Sequence, residues 1–276
     1  MEMKTKNKIK KLVLFIILLA VSAIFIVPIL MMVLGSFKDK GEVLRFDLAL
    51  PTVWHFENYL HVIRTGNILT GYMNSFIITS LTAAGTIIVG ALAGVVIARN
   101  SDGLSNRIYY FFLFGLTATM QLVSTFFMLK KLNIYGTYFS VIMIFIAINL
   151  PLTVMTFASF AKGVPREIDE AAIIDGCNPL STIFLILIPI MKPITITNLT
   201  IVAISTWNNF MVPLYFFNTS AKATIPLIVY IFYGLFSRNW HYVFAAMVLT
   251  VLPVIILYLF LQKHIVEGMT SGAVKG

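Results

Sequence analysis

The sequence predicts an all-α transmembrane protein with six spanning helices. Hydrophobic residues make up 59% of its 276 positions, and the mean hydropathy is +0.93. Only 11% of the residues are charged, whereas about a quarter of the residues in a soluble domain are charged. The apolar residues are concentrated in runs near the roughly 20 residues that a helix needs to cross a bilayer. Together these observations predict one polytopic domain with little mass outside the membrane.

The basic balance of the chain does not indicate a nucleic-acid partner. The net charge is +9, but the Lys and Arg residues are scattered over short loops, where they report orientation and contact with anionic lipid headgroups. The single cysteine, Cys177, excludes an intramolecular disulfide and a cysteine-cluster metal site, and the four histidines show no ligand spacing. We therefore predict a lipid bilayer as a partner, no nucleic acid and no metal.

The N-terminal segment, residues 1–11, holds five lysines and precedes an apolar run at 12–34. This run is longer than the apolar region of about 7–15 residues found in a signal peptide, and no small-x-small cleavage site follows it. We therefore predict a first transmembrane helix with its basic flank in the cytoplasm. Pro28 can kink this helix.

Residues 35–70 form the longest polar connection and are predicted to lie outside the cell. Apolar and aromatic side chains are mixed with charges there, namely Phe46, Leu48, Leu50, Trp54, Phe56 and Tyr59. Two interpretations are open. These side chains form either an interfacial aromatic belt or an outer docking surface for a partner.

The core, residues 71–261, is predicted to contain five further helices. The spans lie at 71–98, 108–129, 139–161, 190–217 and 241–261, with a break in the third of them at Asn149-Leu150-Pro151. The first of these spans contains Gly90-x-x-x-Gly94 and is expected to pack closely against a neighbouring helix. Residues 218–240 are a semi-polar outer loop with an apolar middle, either re-entrant or interfacial. A polar, glycine-rich tail follows at 262–276.

The plainly polar segment at 162–189 has the local chemistry of two short helices joined by a bend. Pro165 suits the first position of a helix, where an N–H would have no intrahelical partner. The first turns hold the acids that the helix dipole favours, namely Glu167, Asp169 and Glu170. Gly176 can adopt the left-handed conformation that ends a helix, and Asn178-Pro179 is typical of the start of a second one.

The distribution of basic residues orients the chain in the membrane. Six spans place both termini on one side, and the inner segments of this topology hold 12 of the 20 Lys and Arg residues. The positive-inside rule therefore places both termini and the polar segment 162–189 in the cytoplasm.

This polar segment resembles the EAA loop of ABC-importer permeases. The matching residues are Glu170-Ala171-Ala172, then Gly176, then Ile186 and Pro189, with Ile188 where the family usually has Leu. The likeness extends over essentially the whole chain. Trp207-Asn208-Asn209-Phe210 is similar to a segment of the carbohydrate permeases, and residues 268–276 closely resemble the end of the MalG-like branch. Asn74-Ser75 also looks like that branch.

The resemblance implies a permease subunit of a sugar importer in the membrane of a prokaryote. It implies a second, homologous permease subunit, two ATPase subunits and an extracytoplasmic solute-binding protein as partners, with a sugar as substrate. The chain contains no Gly-x-x-x-x-Gly-Lys-[Ser/Thr] phosphate loop. We therefore expect a non-catalytic subunit without a cofactor, with ATP and Mg²⁺ bound by the partner ATPase.

The resemblance also implies site residues. ATPase coupling is expected at Glu170, Ala171, Ala172, Asp175 and Gly176, where small alanine side chains let a partner approach the backbone. A contact of the tail with the ATPase is expected at Gly272, Ala273, Val274, Lys275 and Gly276. The other interpretations are an amphipathic loop lying on the bilayer for the first set and a frayed terminus for the second.

Polar and aromatic residues at membrane depth are the candidates for the translocation pathway. These are Gln121, Asn149, Trp207, Asn208 and Asn209, with Asn198 as a further polar residue. Polar groups at this depth face protein or water. Each of these residues therefore either lines the pathway or packs between helices.

Three alternative functions remain open from the sequence. The first is an ABC permease for a non-sugar solute such as glycerol phosphate. The second is a secondary transporter or channel, which would be expected to bury Asp, Glu or His residues that handle a coupling ion. The third is a membrane enzyme, for which no nucleophile–base or metal spacing is present.

Overall fold

The computed structural model describes residues 2–100, 102–235 and 239–273, with side chains described at 11–100, 102–230, 233–234, 239–256 and 258–260. The described residues form helices and loops without a strand, which confirms the predicted all-α class. In chain order the helices are α1 Glu2–Gly35, α2 Glu57–Thr65, α3 Ile68–Arg99, α4 Gly103–Gly115, α5 Leu122–Lys131, α6 Tyr138–Lys162, α7 Glu167–Ile174, α8 Pro179–Ile190, α9 Lys192–Asn208, α10 Met211–Phe216, α11 Ile225–Leu235 and α12 Trp240–Ala273.

Four helices in the described part of the chain are long and apolar enough to cross a membrane. They are Lys11–Gly35, Ile68–Arg99, Tyr138–Lys162 and Trp240–Phe260. A fifth span results if α8 and α9, which are bent by 86° at Met191, are counted as one. The predicted count of six is therefore not reproduced, although the positions of these four spans agree with the prediction.

The predicted span at 108–129 is two shorter helices. Helix α4 ends at Gly115 and α5 begins at Leu122, with Gln121 at its N-cap position. The helical bonding ends there because the N–H and the hydroxyl of Thr117 both donate to the carbonyl of Phe114, three residues back. Threonine hydroxyls compete with helical backbone bonds in this way.

Helix α6 corrects a second expectation, since it runs without interruption through Asn149 and Pro151. A proline inside a spanning helix leaves the carbonyl four residues before it, here that of Ala147, without its backbone donor, and spanning helices tolerate this loss. Two side-chain bonds within the same helix flank the proline, since Asn149 donates to the carbonyl of Phe145 and Thr153 Oγ1 donates to the carbonyl of Asn149. The predicted break at this position is therefore wrong.

One compact unit of the chain comprises Met1–Ile68 and Ile228–Leu252. Its polar connection is folded on itself, because Lys38 is 3% exposed and its Nζ lies 2.5 Å from Oδ1 of Asp47. Hydrogen bonding from Lys38 holds the pKa of Asp47 below its ordinary value. The rings of Trp54, Phe56 and Tyr59 surround Phe37 at 5.1–5.2 Å between centroids. Trp54 and Phe56 remain exposed, so the belt and docking interpretations both stay open.

The second unit comprises Leu69–Leu227 and Pro253–Gly276. Close packing of α3 on α6 organises it, as Gly90 and Gly94 predicted. A Cβ atom at Gly90 would lie 2.5 Å from Cγ2 of Thr153, and one at Gly94 would lie 2.6 Å from Cβ of Phe157. Small residues at such contacts let two backbones approach, which is how spanning helices associate without a hydrophobic driving force.

Asn74 of α3 forms hydrogen bonds to the loop before α11 and to α6. Its Nδ2 donates to the carbonyls of Ala221 and Ala223 at 2.9 Å each, and its Oδ1 accepts from the hydroxyl of Tyr138 at 2.8 Å. The side chain is 5% exposed, and a buried amide must find such partners. Asn74, which carried part of the family resemblance, therefore has a structural role.

Candidate functional site

The candidate site is the segment 162–189, which we call the elbow. Helix α7 ends at a left-handed glycine, as the sequence predicted, since Gly176 has φ +80°. The N–H of Gly176 donates to the carbonyl of Ile173, and the N–H of Cys177 donates to the carbonyl of Ala172. Asn178 then caps α8, since its Oδ1 accepts from the N–H of Ser181 at 2.9 Å. Two helices joined by a bend at Gly176 are therefore confirmed.

The inner face of the elbow is seated in the core of its unit. Ala172 and Val164 are 2% and 6% exposed. Val164 belongs to a cluster that contains Leu187 and Met191, and Ile168 packs against that cluster. Burial of this face stabilises α7 in place, because a helix of eight residues is not stable alone.

The outer face of α7 carries acids and apolar side chains together. Glu170, Ala171 and Asp175 are exposed. Ile173 and Ile174 are 68% and 85% exposed, although they are large apolar residues. The exposure of these two isoleucines was not predicted, because a hydrophobic residue in a short helix is ordinarily expected to face the core.

The Ala172 side chain is buried in the unit whereas that of Ala171 is exposed, and the coupling role of both residues stays a prediction. One expectation about the elbow is wrong. Pro165 was expected at the first helical position, but α7 begins at Glu167. Val164, whose side chain is buried and whose carbonyl accepts a hydrogen bond from Arg99, holds the chain outside the helix at Pro165.

A half-buried ion pair, which no sequence pattern indicated, joins the elbow to α3. Nε of Arg99 lies 2.7 Å from Oδ2 of Asp169, and the two side chains are 16% and 21% exposed. A basic residue at the end of a span is ordinarily interpreted as an orientation signal. The sequence therefore gave no sign of this partner 70 positions away.

Two pathway candidates make local hydrogen bonds. Gln121 is exposed and its Nε2 donates to Oγ1 of Thr119 at 3.4 Å. Asn149 is half-buried and donates to its own helix at Phe145. The pathway role of both residues therefore stays a prediction.

The remaining candidates lie at the break between α9 and α10. The half-buried Trp207 lies 6.3 Å from Tyr72 of α3 between ring centroids, and Asn208 is exposed. The Oδ1 atom of Asn209 accepts from the N–H of Val212 at 3.0 Å and so caps α10. These three residues are brought together by chain proximity, and their role in a pathway stays a prediction.

Asn198 connects two helices. It is 1% exposed, its Nδ2 donates to the carbonyl of Ile194, and its Oδ1 accepts from Oγ1 of Thr156 at 3.0 Å. Of the two roles that the sequence left open for this residue, the hydrogen bond between α6 and α9 is the one observed.

A cavity of about 660 Å³ lies between α4, α5 and α6. Its lining is nearly all apolar, with Phe111, Met120, Met143 and Ile148 among the side chains that form it. A sugar needs several placed hydrogen-bonding groups. This cleft therefore does not have the chemistry of a sugar site.

The predicted C-terminal tail begins as a continuation of α12. Helix α12 continues past residue 261, where a boundary was expected, and includes Gly272 and Ala273 in its last turn. Val274, Lys275 and Gly276 lie outside the described residues.

The model of the family described as "Binding-protein-dependent transport system inner membrane component" matches residues 86–271, which include the elbow.

Individual relatives match nearly the full length of the chain. The "Probable ABC transporter permease protein YurM" of Bacillus subtilis is 32% identical over 95% of this chain and 87% of its own. The "Multiple sugar-binding transport system permease protein MsmG" of Streptococcus mutans is 30% identical over 99% and 100%. A chain from a bacterial ABC transporter involved in the import of the acidic polysaccharide alginate has a TM-score of 0.79 at 22% identity, covering 94% and 97%, and shows the same fold.

Proposed function

This chain belongs to the family of binding-protein-dependent transport system inner membrane components, and we propose that it is the transmembrane permease subunit of an ATP-driven sugar importer. It forms half of the translocation pathway, and its substrate is an oligosaccharide. It is a multi-pass membrane protein whose termini both lie in the cytoplasm. The substrate class is supported by relatives named for sugar and oligosaccharide uptake.

The partners follow from the proposal. A second, homologous permease subunit completes the pathway, two ATPase subunits bind ATP and Mg²⁺, and an extracytoplasmic binding protein delivers the sugar. The chain itself is non-catalytic and needs no cofactor. No feature of the residues that the structure describes favours the alternative assignment to a non-sugar solute.

The observation that carries the coupling role is the two-faced elbow. Its inner face is fixed to the core at Ala172 and Val164, and its outer face presents Glu170, Ile173 and Ile174 to another molecule. Exposed isoleucines beside acids suit a protein groove better than an anionic lipid surface, which repels the acids. Closure of the ATPase dimer displaces the elbow, and the spanning helices then turn the pathway toward the binding protein.

Co-purification tests this function. The tagged full-length chain, expressed from its own host and solubilised in mild detergent, is expected to bring down an ATPase with a phosphate-binding loop and a second permease. Reconstituted with the binding protein, the complex is expected to import oligosaccharides only when ATP is present inside the liposomes. A homo-oligomer that transports without an ATPase would refute the proposal, and ATP-driven uptake of glycerol phosphate alone would refute the sugar assignment.

A further inference from the structure

Arg99, the last residue of α3, contacts three segments of the chain at once. Its Nη1 donates to the carbonyl of Ala161 at 3.1 Å and to that of Val164 at 2.9 Å. Its Nε and Nη2 lie 2.7 and 3.4 Å from the two carboxylate oxygens of Asp169. The end of α6, the start of the elbow and α7 therefore meet on one guanidinium group.

Arg166 makes the attachment reciprocal. Its Nη2 donates to the backbone carbonyl of Arg99 at 3.2 Å. This bond satisfies one of the last carbonyls of α3, which have no partner within the helix. Arg99 thus binds the elbow through its side chain, and Arg166 of the elbow binds the backbone carbonyl of Arg99.

The chemistry of this junction requires arginine. A planar guanidinium group can donate in several directions at once and pair side-on with a carboxylate, whereas the ammonium group of lysine is a point charge without this geometry. The junction is also partly shielded from water, since the Arg99 and Asp169 side chains are 16% and 21% exposed. Charge-assisted hydrogen bonds with such shielding are stronger than those on a fully open surface.

The junction lies where α3 and α6 are already in close contact. Gly94 touches the backbone of α6, and Ile97 shares a buried cluster with Val154 and Ala158. These two helices form one packed pair above Arg99. Displacement of α7 must therefore either break the Arg99–Asp169 pair or carry both helices with it.

We propose that Arg99 is a positioning residue that locks α7 to the C-terminal ends of α3 and α6, so that the elbow and this helix pair move as one body. The inference rests on the proposed function, in which an ATPase displaces the elbow. It assigns the transmission of that displacement to the last residue of α3, which is not among the residues that the family resemblance implied.

The test measures a distance in the complete complex. One spin label is placed on the native thiol of Cys177, just after α7, and the second on Asn100→Cys, an exposed position just after α3. Distances between the two labels are recorded by double electron–electron resonance in three states of the complex. These are the complex without nucleotide, with ATP, and with ATP, Mg²⁺ and vanadate. ATP hydrolysis is measured in liposomes with and without the binding protein.

With Arg99 intact, the distance is expected to stay the same and narrowly distributed in all three states, while the binding protein stimulates hydrolysis. In Arg99→Ala the distance is expected to change with nucleotide, and the stimulation by the binding protein is expected to be lost. Arg99→Lys keeps the positive charge but lacks the planar guanidinium group. Its change in distance and its loss of stimulation are expected to be intermediate between those of the native chain and Arg99→Ala. The control Arg107→Ala, which removes an exposed arginine of α4, is expected to behave like the native chain.

Arg99→Ala with the native distances and native stimulation would overturn the inference. If that variant does not assemble, the near-isosteric Asp169→Asn is measured in its place. Native distances and native stimulation in Asp169→Asn would also overturn the inference. A native complex that contains no ATPase, or whose hydrolysis does not respond to the binding protein, would instead refute the proposed function.

Discussion

Replacing Gly94 with alanine is expected to destabilise the packing of α3 on α6 by about 1–3 kcal/mol, the usual range for overpacking a core. The added Cβ atom would lie 2.9 Å from the backbone nitrogen of Ala158 and 3.0 Å from the carbonyl oxygen of Val154. Backbone atoms cannot rotate away as a side chain does, so the two helices must separate. Thermal unfolding of the detergent-solubilised chain, followed by size-exclusion chromatography after heating, measures the effect.

Gly85 supplies the matched control on the same helix. A Cβ atom there would approach Cδ1 of Ile146 at 2.7 Å, and this flexible side-chain end can move aside. Gly85→Ala is therefore expected to cost less than Gly94→Ala, while both variants gain the same helix propensity. Equal melting temperatures for the two variants would contradict the close packing described for Gly94.

Glu170→Ala and Gly176→Val are expected to uncouple sugar uptake from ATP hydrolysis while leaving membrane insertion intact. Glu170 is exposed, so its removal costs the chain no buried contact but removes a charged partner from the ATPase surface. Charge-assisted hydrogen bonds contribute about 1.5–3 kcal/mol, so uptake is expected to fall about tenfold or more. Uptake and hydrolysis are measured on the reconstituted complex.

The effect at Gly176 has a different physical origin. No atom lies within 4 Å of a Cβ built there, so space is not limiting, but φ is +80°. A β-branched residue is strongly disfavoured in this left-handed region, and the end of α7 must therefore refold. Gly103→Val is the control, because Gly103 also has open space and its φ is not left-handed. Full uptake in both Glu170→Ala and Gly176→Val would contradict the lever role of the elbow.

The sequence predicted the elbow well because its structure is locally encoded. Gly176 and Asn178 act through bonds to residues at most five positions away, and such caps depend little on the rest of the fold. The first position of α7 was wrong for the opposite reason. Val164 is drawn into the core and its carbonyl accepts from Arg99, a contact that no local pattern encodes.

The spans show the same division between local and tertiary causes. Long apolar runs located α1, α3, α6 and α12, because hydropathy alone determines whether a helix can cross a membrane. The interruption between α4 and α5 was not predicted, since hydropathy does not register a turn within a run that stays largely apolar. Hydropathy likewise gave no sign that α8 and α9 meet at 86°.

The pathway was the least predictable part of the site. Polar residues at membrane depth have two roles that look alike in a sequence, namely lining a path and joining helices. Asn198 joins α6 to α9, and Asn209 caps α10. Only the positions of their partners, fixed by the fold, distinguish these roles.

Photo-crosslinking from the outer face of α7 tests the central claim most directly. A photoreactive amino acid replaces Ile174, which is 85% exposed, in the full complex in its native membrane, and the matched control replaces Trp54, which is 47% exposed in the polar connection after α1. If the elbow docks on an ATPase, position 174 yields an adduct with the ATPase subunit and position 54 does not. An adduct of the ATPase with position 54 but not with position 174 would contradict both the docking role of the elbow and the orientation of the chain.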